Sequence, residues 1–365
     1  MGGSMNQHWA HNPTMNKLMR RLSFIFISPR KRRQFRATLA QIAIEDKLLY
    51  YRRLAKTIYA DSYLIYCRNG IGDIFFVASL MQAFKEQHKG RIVFLTEKPK
   101  LKEFLQAFPG IDEVLVDKDA TFQHLAIVQR KIAKGLLNFL YFPYRGNKPN
   151  TLFADDYTNL LDLDLHTKRQ IPQLKKEHLN HAHMEFDRLK INPQKTILLI
   201  PESVMFDHRT IKATDWIKLA KKLTKEGYDV VFNSTNSVYS GFKTTFLPIL
   251  DSVAFAQQVH YIVSFRSGID DLFVGMGIHH LMAIYPYNME VIWADKFLFD
   301  ELLNKYHTHP FEHELENILN IYSLSSNFNC QAVQEVLYDG DIEDIYKKIK
   351  IHCKSLNHAK HKQNN

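Results

Sequence analysis

The sequence predicts an α/β protein made of two doubly wound units that face one another across a cleft, and three observations carry that expectation. Its 365 residues exceed one ordinary core and suit two domains of about 100–200 residues each. Short apolar runs of strand length alternate with segments of helical spacing, first from Ser62 and again from Thr196. With 45% hydrophobic and 24% charged residues, close to globular averages, both units can bury a core.

The first alternation opens with the apolar run Tyr63 to Cys67, which leads into Arg68-Asn69-Gly70-Ile71-Gly72-Asp73. From Ile74 to His88 apolar residues recur at helical spacing (Phe76, Leu80, Ala83, Phe84) and stop at Lys89-Gly90. Arg91 to Thr96 reads as a second strand, Pro99 to Phe108 as a helix and Glu113 to Asp117 as a third strand. After the polar stretch Lys168 to Gln194 the pattern resumes with strand Thr196 to Ile200 and a helix from Thr214 to Glu226 closed by Gly227. Strand Tyr228 to Phe232, a helical segment around Val253 to Gln258 and strand Tyr261 to Ser264 follow, then a helix from Ile269 to Met276 and strand His280 to Tyr285. In open sheets of this kind ligands bind at the carboxyl ends of the strands, so two facing units direct their loops to a shared site.

The ends differ from the core. Lys17, Arg20, Arg21, Arg30, Lys31, Arg32, Arg33 and Arg36 surround the apolar patch Leu22 to Ile27, and the chain's net charge of +10 is concentrated there. Such a segment suits attachment to an anionic bilayer surface, with a basic arm packed on the protein or left in solvent as the alternative. Cys67, Cys330 and Cys353 lack CxxC spacing, which argues against zinc or a disulfide framework and for a reducing, cytoplasmic setting. No apolar run is long enough to span a membrane. No zinc finger, RNA-recognition signature or base-reading basic helix supports a nucleic-acid partner.

Three segments carry chemistry. Gly70 and Gly72 sit at a strand-to-helix turn where backbone can approach a ligand and helix amides favour an anion; Asp73 there is either a functional carboxylate or a helix cap. Arg266-Ser267-Gly268-Ile269-Asp270-Asp271 repeats that architecture with a guanidinium able to chelate phosphate, or to pair with Asp270 or Asp271. Glu202 and Ser203 follow a strand and occupy a ligand-loop position or an ordinary loop. His178, His181 and His183 cluster, and His279-His280 is a pair, but no HExxH-type carboxylate motif accompanies them, so no metal ligand is assigned. Asp162-Leu163-Asp164 has the spacing of a metal-binding acid pair but falls away from the expected donor loops.

From Leu64 to Pro286 the chain resembles the ADP-heptose:lipopolysaccharide heptosyltransferase family. Gly72-Asp73-Ile74 after the first strand, Pro109-Gly110-Ile111-Asp112-Glu113-Val114, and Arg209 to Trp216 match that family's motifs in order. The family's D-(T/S)-G-x-x-H segment is replaced by Arg266-Ser267-Gly268-Ile269-Asp270-Asp271. The resemblance implies a GT-B fold of two Rossmann-like domains and an inverting, metal-independent glycosyltransferase needing no cofactor. It moves a sugar from a nucleotide-diphosphate donor to a glycan or glycolipid acceptor of the bacterial surface. Asp73 is then the general base, while Arg209, Lys212, Arg266, Ser267 and Gly268 hold the diphosphate; Glu202 and Asp271 are the next candidates for the base. A nucleotide-sugar epimerase of the same fold is the enzymatic alternative, and a non-catalytic nucleic-acid-binding protein is the alternative outside enzymes.

The expected organisation is a basic extension over 1–60, an acceptor domain over 61–175, a linker over 176–193 and a donor domain over 194–328. A helix over 329–350 is expected to return to the first domain, and 351–365 to form a loose basic tail.

Overall fold

Six consecutive buried residues form β1 (Ser62–Cys67), a strand with no solvent face, and a sheet of such strands requires helices on both sides. The computed structural model describes residues 62–67, 70–117, 125–128, 133–136, 152–203, 211–286 and 323–363. The basic extension over 1–60 and Arg209 lie outside them.

The first unit continues with α1 (Ile71–Ser79), α2 (Met81–His88), β2 (Arg91–Thr96), α3 (Lys102–Gln106) and β3 (Glu113–Val116). Then come β4 (Leu125–Val128), β5 (Ala133–Leu136) and α4 (Phe153–Leu160). Its sheet runs β3-β2-β1-β4-β5. β2 pairs with β1 and β3 in parallel, whereas β4 and β5 are antiparallel, so this sheet is mixed where an all-parallel one was expected. The single helix expected over Ile74 to His88 is two, broken at Leu80. Gly110 explains the tight packing at the break: a Cβ there would lie 2.1 Å from the Gln82 amide nitrogen. Neighbouring Asp112 accepts the Ile92 amide at 2.8 Å and the Lys85 ammonium at 2.5 Å. The Pro109 to Val114 motif therefore has a structural task.

The second unit contains β6 (Thr196–Ile200), α6 (Ala213–Lys225), β7 (Asp229–Asn233), β8 (Lys243–Thr245), α7 (Ile249–Ala256) and β9 (Tyr261–Phe265). It is completed by α8 (Gly268–Gly275), β10 (Leu281–Pro286), α9 (Leu324–Phe328), β11 (Gln334–Tyr338) and α10 (Ile342–Gln363). Every pairing in its sheet is parallel, and the order β8-β7-β6-β9-β10-β11 is the Rossmann order 3-2-1-4-5-6 counted from β6. β6 and β9, at the centre, are buried along their whole length. One hydrophobic cluster runs through both units, joining Phe76 and Phe94 to Leu198, Ile262 and Phe273.

One domain expectation is corrected, and the linker proves to be ordered. The stretch 176–193 is mostly helix α5 (Lys176–Leu189), which buries Ala182, Phe186 and Leu189 and packs on α7, with Phe186 stacked on Phe255 at 4.3 Å. The segment 329–350 is not one helix returning to the first unit: it supplies strand β11 and the start of α10, and α10 packs on α6 of the second unit. Ile342, Ile345, Ile349 and Cys353 enter the second unit's other core with Trp216 and Leu219, and Lys222 to Glu343 (2.5 Å) and Lys350 to Glu226 (2.7 Å) pair along the seam. α10 also extends to Gln363, through most of the tail expected to be loose. Among the described residues no helix is long and apolar enough to cross a membrane.

Candidate functional site

Sheet order places the site. In the second unit the strand order reverses between β6 and β9, and their carboxyl ends open the crevice where a doubly wound sheet binds its ligand. The loops leaving these strands are tied together there: the Ser203 hydroxyl donates to the Arg266 carbonyl at 2.9 Å. Beside them Glu202, exposed, accepts the Ser234 hydroxyl at 3.0 Å. Lys212, also exposed, is the N-cap of α6 and so stands on this same edge of the sheet.

The first unit meets this edge through backbone. The amino end of α1 lies against that of α8, and a Cβ on Gly72 would come within 2.5 Å of Asp271 Oδ2 and 3.0 Å of the Gly268 Cα. Conversely a Cβ on Gly268 would lie 2.6 Å from the Gly72 amide nitrogen. The close approach that both glycines permit is therefore to each other's helix, a partner the sequence does not indicate. Gly70, exposed, is the N-cap of α1. Asp73, in the first turn, accepts the Tyr157 hydroxyl from α4 at 2.6 Å, which orients the carboxylate.

Arg266 is only 2% exposed and pairs with Asp271 through both arms, Nη1 to Oδ2 at 3.0 Å and Nη2 to Oδ1 at 2.6 Å, while also donating to the Ser267 carbonyl. Of the two readings of this arginine, the ion pair is the one present, and its guanidinium is spent inside the protein. Asp270 closes a capping box on Ser267, accepting its amide at 2.7 Å. The Ser267 N–H is thus already engaged, and the Asp270 amide is taken by Ser267 in return, so the Gly268 and Ile269 amides stand at the positive end of the helix dipole.

Burial sets the electrostatics. It pushes Asp270 up to about 7 and Asp271 up to about 6, against the pull of Arg266 on both. The bidentate geometry keeps Asp271 as the charged partner, and the surrounding acids hold Arg266 protonated despite its burial. Asp73 adds to the negative field that raises Asp271. On the other side of Arg266, Tyr285 donates to Glu335 at 2.5 Å. Burial alone would raise Glu335, but hydroxyls of Ser325 and Tyr285 and amides of Leu324 and Ser325 hold it below its ordinary value. One polar chain therefore runs from Glu335 through Tyr285 and Arg266 to Asp271, beside Asp73.

Sequence reasoning missed Tyr157, Glu335 and Ser234. Tyr157 had a faint signal, because Ala154, Tyr157, Thr158 and Leu161 repeat at helical spacing and all are buried. His178 is buried and bonded to Asp251, His181 reaches the same carboxylate, and His183 is exposed. Asp162 and Asp164 are exposed, and the Asp162 carbonyl accepts from Gln87 near the end of α2, at the opposite edge of the sheet from Asp73.

No protein-family model matches the chain, and no curated protein sequence matches it. Solved structures similar to it include E. coli ADP-heptose lps heptosyltransferase II, at 10% identity over 80% of this chain and 98% of that one, with a TM-score of 0.49. The glycosyl transferase family 9 protein from Veillonella parvula DSM 2008 is 13% identical over 61% of this chain and 80% of its own, with a TM-score of 0.43. The iron-containing dodecameric glycosyltransferase TibC from enterotoxigenic E. coli H10407 is 13% identical over 61% of this chain and 57% of its own, with a TM-score of 0.42. At such identities the chemistry around Asp73 and Arg266 rests on the geometry of this chain.

Proposed function

We propose that the chain is a glycosyltransferase that binds a nucleotide-diphosphate sugar at the β6/β9 crevice and passes the sugar to a hydroxyl held by the first unit. The observation that carries this reading is the reversal of strand order at β6 and β9, with the Ser203 to Arg266 bond across it and Asp73 of the first unit beside it. The motif resemblance along Leu64 to Pro286 supports the same class.

In this reading Asp73 takes the proton of the acceptor hydroxyl as its oxygen attacks the anomeric carbon. The bond from that carbon to the diphosphate oxygen breaks with inversion. Lys212, with Arg209, meets the charge that builds on the leaving diphosphate, together with the amides that open α8 after Ser267 and Gly268; protein cations serve here in place of a metal. Arg266 acts as a positioning residue, fixing the turn through Asp271 and the Ser267 carbonyl. Glu202 and Ser203 line the nucleotide side. The acceptor is a bacterial surface glycan or glycolipid, and the basic segment 1–60 holds the enzyme on the inner, anionic face of the membrane, which deletion of residues 1–40 tests by loss of salt-sensitive vesicle binding.

Thermal shift against nucleotide diphosphates and their sugars tests the donor site. One nucleotide series is expected to raise the melting temperature, and Lys212→Ala to remove most of that rise. If no nucleotide diphosphate or sugar nucleotide shifts the full chain, the reading fails.

A further inference from the structure

We infer that Glu103, Glu177 and His178 form a binding site for a divalent cation of the zinc class that joins the two units. Their ligand atoms lie within 4.8 Å of one another. His178 is the informative member. It is 2% exposed, and its Nε2, 3.8 Å from Glu103 Oε1, has no hydrogen-bond partner. Its other nitrogen, Nδ1, is 2.8 Å from Asp251 Oδ1. A carboxylate only accepts, so Asp251 fixes the Nδ1–H tautomer and leaves the Nε2 lone pair directed at Glu103 and Glu177.

Lys175 Nζ, 3.3 Å from Glu177 Oε1, already balances that carboxylate, but the Nε2 lone pair still faces Glu103 Oε1 at 3.8 Å, which is repulsive unless something positive stands between them. A second proton on the ring would serve, but a metal ion satisfies all three groups at once. One imidazole nitrogen and two carboxylates suit zinc, with a fourth position for water, and a carboxylate on the far ring nitrogen is the usual support for a metal-bound histidine. Tetrahedral zinc brings ligand atoms to about 3.4 Å from one another, closer than here. The adjustment falls on Glu103 and Glu177, both more than half exposed and so able to move, while His178 is fixed.

The placement gives the site a purpose. Glu103 belongs to α3 of the first unit, Glu177 and His178 to the first turn of α5, and Asp251 to α7 of the second unit. A cation here straps α3 to the helix that connects the units and, through His178 and Asp251, to α7. The inference is independent of the sugar-transfer reading, since that reading gives none of these residues a role.

Calorimetric titration of ZnCl2 into the full chain, with melting temperature as a second readout, compares the native protein with Glu103→Gln and Glu177→Gln. Both exposed positions tolerate substitution, so the test does not rest on replacing the buried His178. Other histidines can take zinc, and the difference between proteins is what is read. The native chain is expected to bind one more zinc than either variant, or to bind at that site at least 10-fold more tightly. Zinc should raise its melting temperature more than theirs, and MgCl2 should do neither. Equal stoichiometry and affinity in all three proteins overturns the inference and leaves His178 as a buried hydrogen-bond partner of Asp251.

Discussion

Replacing Arg266 by Met removes the guanidinium and keeps the apolar stem, which isolates the electrostatic role of the side chain. The structure sets the size of the effect. Asp271 is 4% exposed and loses two hydrogen bonds of 3.0 and 2.6 Å. It must then stay charged and unpaired, at a cost of about 3–5 kcal/mol, or take up a proton. At pH 7, three units above the ordinary aspartate value, protonation costs about 4 kcal/mol relative to the unfolded chain. The folded variant holds a proton that the unfolded chain releases over this whole range, whereas native Asp271, raised to about 6, takes one up only near that value, so the deficit shrinks by about 1.4 kcal/mol between pH 7 and pH 5. Urea unfolding at both pH values, followed by the fluorescence of buried Trp216, measures this. Arg266→Met/Asp271→Leu, with both charges replaced by apolar groups of similar size, is expected to recover most of the loss and its pH dependence. A deficit below about 1 kcal/mol at pH 7, or one equal at both pH values, refutes a buried pair and returns Arg266 to the ligand.

Asp73→Asn is expected to lower kcat about 100-fold or more while leaving donor Kd nearly unchanged, and near-normal turnover would move the base elsewhere. Gly268→Ala drives a methyl group into the Gly72 backbone and is expected to cost about 1–3 kcal/mol of stability in thermal unfolding, whereas Gly241→Ala, with nothing within 4 Å, is the neutral control. Asp270, raised to about 7, favours the folded state when protonated, so stability should fall between about pH 4 and 7. Asp270→Asn should flatten that slope by up to about 1.4 kcal/mol per pH unit.

The parts of the fold legible in the sequence are those whose burial is apolar. Tyr63 to Cys67, Thr196 to Ile200 and Tyr261 to Ser264 read as strands because both faces are covered. α5 was hidden because its inner face also holds His178 and Glu185, which are accommodated by Asp251 and by Arg188 and Thr245. Polar pairs buried against a neighbour erase the period that an apolar stripe would show. β11 escaped for a similar reason: Glu335, inside the strand, is neutralised by the amides and hydroxyls at the start of α9. β8 has only three residues, two of them threonine, and exists by pairing with β7. The site divides the same way. Its turns were visible as glycine between strand and helix, but the contacts that define them join residues 84 apart in the case of Asp73 and Tyr157, and no local pattern encodes such a meeting.

The contact between α1 and α8 also sets how the two units are held together. At Gly72 and Gly268 backbone meets backbone, with Asp271 Oδ2 and the Ile71 side chain beside it, so this end fixes how closely the two helices approach. Farther along the same helices Phe75 sits in the space over Gly275, where a Cβ would come within 2.3 Å of its ring, and Phe328 of α9 flanks the same seat. That end is a key in a slot. The register of α1 against α8 is therefore set by the fit of one phenylalanine ring, on the same pair of helices whose other ends carry Asp73 and Asp271.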